Sequence, residues 1–171
     1  MGKMAMYRCG ECGYTKELVL GIGMMHPTIS SEIKEAIAQG EFGPELKSAY
    51  EACELPAVYP EDKVYECPSC GYWDVYKDAS IYEPVDVAAV KKEQFGIKTV
   101  EEWGGIPYMT GRDIESGAYR LVREYAPSCP HCGKDMHVSS VDTKKAAGAV
   151  SLKCPSCGSA SGTLEVSGCW D

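Results

Sequence analysis

Eight of the ten cysteines stand in four copies of one frame. They are Cys9-Gly-Glu-Cys12-Gly13, Cys67-Pro-Ser-Cys70-Gly71, Cys129-Pro-His-Cys132-Gly133 and Cys154-Pro-Ser-Cys157-Gly158. Two residues between the thiols let the backbone curl so that both sulfurs reach one metal ion, at about 2.3 Å for zinc. The tight turn aims backbone N–H groups at the sulfurs and offsets their negative charge. Glycine after the second Cys suits a backbone angle with φ > 0. Proline after the first Cys locks φ in the range that opens such a turn. Each frame is half of a tetrahedral four-sulfur site.

Four halves make two sites. Shorter loops cost less to close, which favours sequential pairing. Site 1 is then Cys9, Cys12, Cys67 and Cys70, with the long stretch from Gly13 to Glu66 between the frames. Site 2 is Cys129, Cys132, Cys154 and Cys157. Only Gly133 to Lys153 separates its frames, near the spacing of compact zinc sites. Joining the second and third frames, across Gly71 to Ser128, is an alternative. Disulfides would need an oxidising compartment, for which the sequence carries no signal. A thioredoxin-like redox pair needs one frame in a βαβ setting, not four with Gly after each. A tetrahedron of sulfurs suits zinc or iron. The expectation is two Zn2+ per chain, with iron as the alternative at site 1. Four thiolates leave no open position, so the sites should be structural rather than hydrolytic.

The chain has 171 residues and a net charge of −8. Residues 1–84 carry 7 basic and 14 acidic side chains, against 10 and 11 in 85–171. Nucleic-acid affinity comes largely from Lys and Arg, so the N-terminal half should repel a duplex. The longest unbroken apolar or Gly run, Leu18 to Met25, has eight residues, too few to span a membrane. The opening residues lack the apolar stretch of a secretory signal, so a cytoplasmic chain with reduced thiols is expected.

The frames need strands to hold them. Residues 5–9 and 15–20 read as strands flanking the first frame. Residues 63–67, 72–76 and 79–82 do the same around the second. Between them, Ile29, Ile33, Ala36 and Ile37 fall on one helix face. Thr28, Ser30 and Ser31 are candidate N-caps, and Gly40 fits the C′ position. A second helix starts near Pro44, carries Leu46, Tyr50 and Cys53 on one face, and ends before Pro56. Glu83-Pro84 reads as a domain boundary. Asp86 can cap a helix through Gln94 that Gly96 stops. Thr99 to Glu102 has a capping-box pattern before Trp103, and Gly104 to Pro107 breaks it. Residues 118–126 read as a strand, and residues 135–141 and 149–154 as a hairpin around Lys144 to Gly148. Residues 162–167 would complete a three-stranded ribbon.

The expected fold is a small, metal-dependent α+β chain with two four-cysteine ribbons of short antiparallel strands. Residues 1–84 form the first ribbon, with a helical hairpin inserted at about 27–56 that packs on it. Residues 85–117 form a connector, and 118–171 the second ribbon. A domain of about 50–60 residues buries too little surface to be secure alone. Metal coordination would supply the difference.

The frames Cys9-x-x-Cys12-Gly13-Tyr14 and Cys67-Pro-x-Cys70-Gly71 resemble the two knuckles of rubredoxin and of zinc-ribbon proteins. The pair at Cys129 and Cys154 resembles a second, plainer ribbon. The opening frame followed by Leu20-Gly-Ile-Gly23 is similar to small bacterial zinc-ribbon proteins of no assigned activity. The resemblance covers the knuckles and their strands, about half of the chain. It implies a metal at each site, and at site 1 a rubredoxin-like iron capable of electron transfer. The long gap between Cys12 and Cys67 departs from rubredoxin, where it would be about half as long.

Other candidates are weaker. Cys53 reads as a buried, inert thiol and Cys169 as a bystander. His131 should point to solvent, and His26 and His137 to packing or surface roles. Leu20 to Gly23 lacks the third Gly of a dinucleotide fingerprint. Met24-Met25 reads as core. Lys144-Lys145 with Arg120 and Arg123, and Tyr119 and Tyr125 for stacking, could make a nucleic-acid contact, although a solvated turn and core packing explain them equally well. No nucleophile, base and oxyanion set can be assembled, so an enzyme is not expected. The expectation is a binding module whose metal-held knuckles meet a partner macromolecule, a protein first and nucleic acid second, with no membrane.

Overall fold

Period-two burial defines the strands around the first frame. In β1 (Gly2–Cys9), Ala5, Tyr7 and Cys9 are buried, while Met6 is half-buried and Arg8 exposed. In β2 (Thr15–Leu20), Leu18 and Leu20 are buried between the exposed Glu17 and Val19. The computed structural model describes residues 2–90, 109–141 and 147–170. After β2 come α1 (His26–Gln39), α2 (Pro44–Ala52), β3 (Ala57–Val58), β4 (Asp62–Glu66), β5 (Trp73–Lys77) and β6 (Ile81–Pro84). Then follow α3 (Gly111–Glu115), β7 (Tyr119–Arg123), β8 (His137–Val138), β9 (Gly148–Val150) and β10 (Gly162–Trp170). The result is a small α+β chain with antiparallel sheets.

The chain divides into two units, and the division is not the sequential one expected from the spacing. Unit 1 gathers Met1–Met24, Glu61–Lys77 and Ala126–Asp171; unit 2 gathers Met25–Pro60 and Asp78–Tyr125. All four cysteine frames lie in unit 1, and both long helices among the described residues lie in unit 2.

Unit 1 contains a four-stranded sheet in the order β2-β1-β10-β9 and a three-stranded sheet in the order β5-β4-β8. β1 pairs with β10 along its whole length, from Gly2↔Trp170 to Cys9↔Gly162. Gly162 lets the strands close over a ring, since a Cβ there would stand 2.4 Å from Tyr7 Cε2. The core holds Ala5, Tyr7, Leu18, Leu20, Val64, Trp73, Leu152 and Leu164, together with Cys9 and Cys154. The expected hairpin of 135–141 and 149–154 does not form. β8 pairs with β4 (Tyr65↔Val138, Glu66↔His137), and β9 pairs with β10. The turn residues 142–146, with Lys144 and Lys145, lie outside the described residues. The strand of 162–167 is present but longer, and it lies between β1 and β9.

In unit 2, α1 buries Ile33 and Ile37. It begins earlier than expected, with Pro27 in its first turn and Met25 at the N-cap. Proline is preformed for that position, so none of the candidate hydroxyls caps. Ser30 Oγ instead donates to the Val58 carbonyl at 2.9 Å, and Ser31 Oγ to the Pro27 carbonyl at 3.3 Å. Gly40 ends the helix at φ 89°, its N–H directed at the Ala36 and Ile37 carbonyls. Pro44 opens α2.

Unit 2 also has a sheet in the order β3-β6-β7. Glu83 and Pro84 are therefore no boundary: they sit in β6, opposite Arg120 and Tyr119 of β7. The strand read at 118–126 exists as β7, but it joins β6 rather than a ribbon, with Arg120 opposite Glu83 and Tyr119 opposite Pro84. Asp86 accepts the Ala89 N–H at 2.8 Å, and residues 87–90 are helical. The helix end at Gln94 and Gly96, the capping pattern at Thr99 to Glu102, Trp103 and the break at Gly104 to Pro107 lie outside the described residues.

Candidate metal centres

The four frames fold into the same local turn. The N–H of the first cysteine bonds the carbonyl five residues on: Cys9 to Tyr14 (2.8 Å), Cys67 to Tyr72 (2.7 Å), Cys129 to Lys134 (2.8 Å) and Cys154 to Ser159 (2.7 Å). The glycine N–H returns to the first cysteine's carbonyl at 3.2, 2.8, 2.8 and 2.9 Å in chain order. Gly13, Gly71, Gly133 and Gly158 have φ of 72°, 74°, 71° and 77°, the left-handed region where a Cβ is strained. The sequence dictates this geometry locally, frame by frame.

The frames come together as first with fourth and second with third. Cys9, Cys12, Cys154 and Cys157 form one group, centre A. Cys67, Cys70, Cys129 and Cys132 form the other, centre B. In each, all four sulfurs lie within 4.8 Å of one another. The closest cross-frame approaches are Cys9–Cys157 and Cys12–Cys154 at 3.6 Å, Cys67–Cys132 at 3.5 Å and Cys70–Cys129 at 3.6 Å. Four sulfurs at about 2.3 Å from one tetrahedral ion stand about 3.8 Å apart. A disulfide would bring them to about 2.05 Å, and the cysteines are free.

This grouping corrects the sequential sites. The cause is the sheet. The pairing Cys9↔Gly162, with Gly10 N–H on the Ser161 carbonyl at 2.7 Å, sets the first frame against the fourth. The pairing Glu66↔His137 sets the second beside the third. Loop length opposes this only weakly. Closing these longer loops rather than the sequential ones costs on the order of 2 kcal/mol more, because the penalty is logarithmic. The pairing of β1 with β10 along the whole of β1 outweighs it.

The first cysteine of every frame is buried, whereas Cys12, Cys132 and Cys157 are exposed and Cys70 is half-buried. Burial pushes the Cys67 thiol up, but backbone N–H groups of Cys70 and Ser69 and the neighbouring thiols outweigh it and bring it down to about 6. Cys70 moves the other way: the Tyr72 N–H draws it down, but burial and the shared thiols of Cys129 and Cys67 override that and raise it to about 11. Four thiols so close cannot all ionise without a cation between them. The donor set fits one: sulfur only, four per site, tetrahedral spacing, and no open position. The two groups can each hold a metal ion and are compatible with zinc-ribbon-like sites.

Three residues outside the motifs build the surroundings. Tyr7 is buried, with its hydroxyl on the Leu152 carbonyl at 3.3 Å; burial and the adjacent thiolates of centre A push it up to about 12. Trp73 packs edge-on against Tyr7, with ring centres 5.0 Å apart, and donates its indole N–H to the Lys153 carbonyl at 2.7 Å. Lys153 reaches the Cys70 carbonyl at 3.3 Å. Their only signal in the sequence is position, two or three residues from a cysteine or adjoining one. A cleft of about 410 Å³ opens here, lined in part by Tyr14, Lys16, Tyr72, His131 and Lys153. Lys16 lies 4.8 Å over the Trp73 ring and pairs with Asp74 at 2.8 Å.

The remaining candidates stand apart from the sulfurs. His131 is exposed, with its ring 4.3 Å from that of Tyr72. His137 is exposed on β8, and His26 opens α1 with its ring 6.3 Å from Tyr59. Cys53 is half-buried at the end of α2 and donates to the Ala49 carbonyl at 3.2 Å; burial, then Glu83, raises its thiol. Cys169 is exposed on β10. Gly21 turns at φ 84° to bridge Asp62. Met24 and Met25, expected in the core, are 70% and 61% exposed. Arg120 pairs with Glu83, Arg123 with Glu45, Tyr119 is buried beside Met109, and Tyr125 packs on Phe42. No helix among the described residues is long and apolar enough to cross a membrane. No family model, curated protein or solved structure matches the chain.

Proposed function

We propose that this chain is a zinc protein with two structural Zn2+ centres, and that its metal-held knuckles present a surface to a partner protein. The observation that carries the reading is the pair of four-sulfur groups, each with ligand atoms within 4.8 Å of one another. Four protein thiolates complete the coordination of zinc, which favours a structural over a hydrolytic role. An adaptor or regulatory module is the activity this supports. The net charge of −8 favours a basic protein surface over a polyanion. Nucleic acid draws less support, because Arg120 and Arg123 already face Glu83 and Glu45.

Elemental analysis of the purified chain tests the metal directly. Two zinc ions per chain are expected, in a colourless protein. Iron with visible absorption that bleaches on reduction would instead establish a rubredoxin-like electron carrier. A chain that takes up neither metal would end the reading. Affinity capture with zinc-loaded and chelated protein as paired baits tests the partner: binding that survives chelation would exclude the knuckles as the surface.

A further inference from the structure

We propose that the two centres fill cooperatively, each ion raising the affinity of the other site through Trp73 and Lys153. The proposal rests on the metal reading above and adds a property that reading does not require. Two links tie the frame of centre B to that of centre A, and they run in opposite directions. Trp73 follows Cys70 by three residues, is 1% exposed, and donates its indole N–H to the carbonyl of Lys153, which immediately precedes Cys154. Lys153 returns its ammonium to the carbonyl of Cys70 at 3.3 Å. Its stem lies so close over the same turn that a Cβ at Gly71 would stand 2.6 Å from Lys153 Cδ.

Neither link forms unless both turns are in place. The centres share further structure. Segment 126–171 supplies half of each, through Cys129 and Cys132 to centre B and through Cys154 and Cys157 to centre A. Cys9 and Cys154 of centre A belong to the same packed core as Trp73 and Val64, which bracket the second frame. An ion at centre A fixes Lys153 and Leu152, and thereby presents the acceptor and the covering stem that the Cys67–Cys70 turn needs. The ordering cost of the second site is then partly met before its ion arrives. By linkage the effect is mutual: each ion raises the other's affinity by the same factor, about 5- to 150-fold for couplings of ordinary size.

Native mass spectrometry of the reduced, metal-free full chain with one equivalent of zinc reads this directly. Metal-free and two-zinc chains are expected to dominate. Independent sites of equal affinity would leave about half of the chains with one ion. Trp73→Phe keeps the ring and removes the N–H donor; it should raise the one-zinc fraction while two ions still bind at saturation. Lys153→Met, which keeps a stem over Gly71 and removes the ammonium, is read the same way if Trp73→Phe does not fold. A parent chain with half or more of its molecules in the one-zinc form, and whose centre B binds zinc no more weakly when Cys12 and Cys157 are replaced by Ser, overturns the coupling alone. Variants with an unchanged distribution overturn its assignment to these residues. A parent chain that binds no ion overturns the metal reading and the coupling together.

Discussion

Glu83 and Arg120 face each other across β6 and β7, with a guanidinium nitrogen 2.7 Å from Glu83 Oε2. Glu83 Oε1 also accepts the Glu54 backbone N–H at 2.9 Å, so one buried carboxylate ties the end of α2 to the sheet of unit 2. Arg120, then the backbone N–H of Glu54, holds this carboxyl below the usual carboxylate range. A depressed folded value stabilises the native state fully above the unfolded value, about 4.3, and the gain is lost as pH falls through the folded value. Glu83→Gln should lower the urea midpoint at pH 7 and shrink its fall between pH 5 and pH 3. An unchanged midpoint at pH 7 would show that the pair contributes nothing.

Removing the ions should unfold unit 1. Its core is small, and structural zinc contributes on the order of 10 kcal/mol in small peptides near neutral pH. Far-UV circular dichroism during titration with a strong chelator should show loss of strand signal in step with zinc release. The Trp73 environment should open at the same point. A spectrum that stays constant after proven metal loss would contradict the structural role.

The cross-frame grouping makes a distinct prediction about paired substitutions. Cys12 and Cys157 serve centre A, and Cys70 serves centre B. Cys12→Ser combined with Cys157→Ser should lower zinc content no further than Cys12→Ser alone. Cys12→Ser combined with Cys70→Ser should lose binding at both centres. Sequential pairing would put Cys12 and Cys70 in one site and reverse the two outcomes, which zinc-to-chain ratios distinguish.

Two residues of β10 separate packing from position. Leu164 is 1% exposed in the core of unit 1, and Val166, two residues on, is 43% exposed. Leu164→Ala should cost about 2–5 kcal/mol of unfolding free energy. Val166→Ala should stay within about 0.5 kcal/mol. Denaturant titration of the zinc-loaded protein measures both.

Local chemistry was legible in the sequence and long-range pairing was not. The turns with positive-φ glycines, the two helices, Gly40 and most strands follow from residues within one turn or one strand of each other. Which frame meets which is decided by the register of β1 with β10, where Met6 faces Glu165 and Tyr7 faces Leu164. Nothing in residues 2–9 alone names that partner. The strand at Tyr119 was readable, but its neighbour β6 lies more than 30 positions back, a long-range pairing that spacing does not announce. The hairpin expected beyond Cys132 failed for the same reason: His137–Val138 is short and exposed and pairs with β4 rather than with the next strand along the chain. Trp73 and Lys153 were invisible as a pair because they meet only once both frames are placed.

Centre A joins sulfurs 148 positions apart. On a ribosome that adds about 5–20 residues per second, Cys9 waits roughly 7–30 s for Cys157 to be made. During that interval its frame is two thiols in search of a site, open to oxidation or to any passing metal. Under the proposed metal reading, biosynthesis of this protein should therefore depend on reducing conditions and on metal supply at translation, since the first half of the site is exposed long before the second exists.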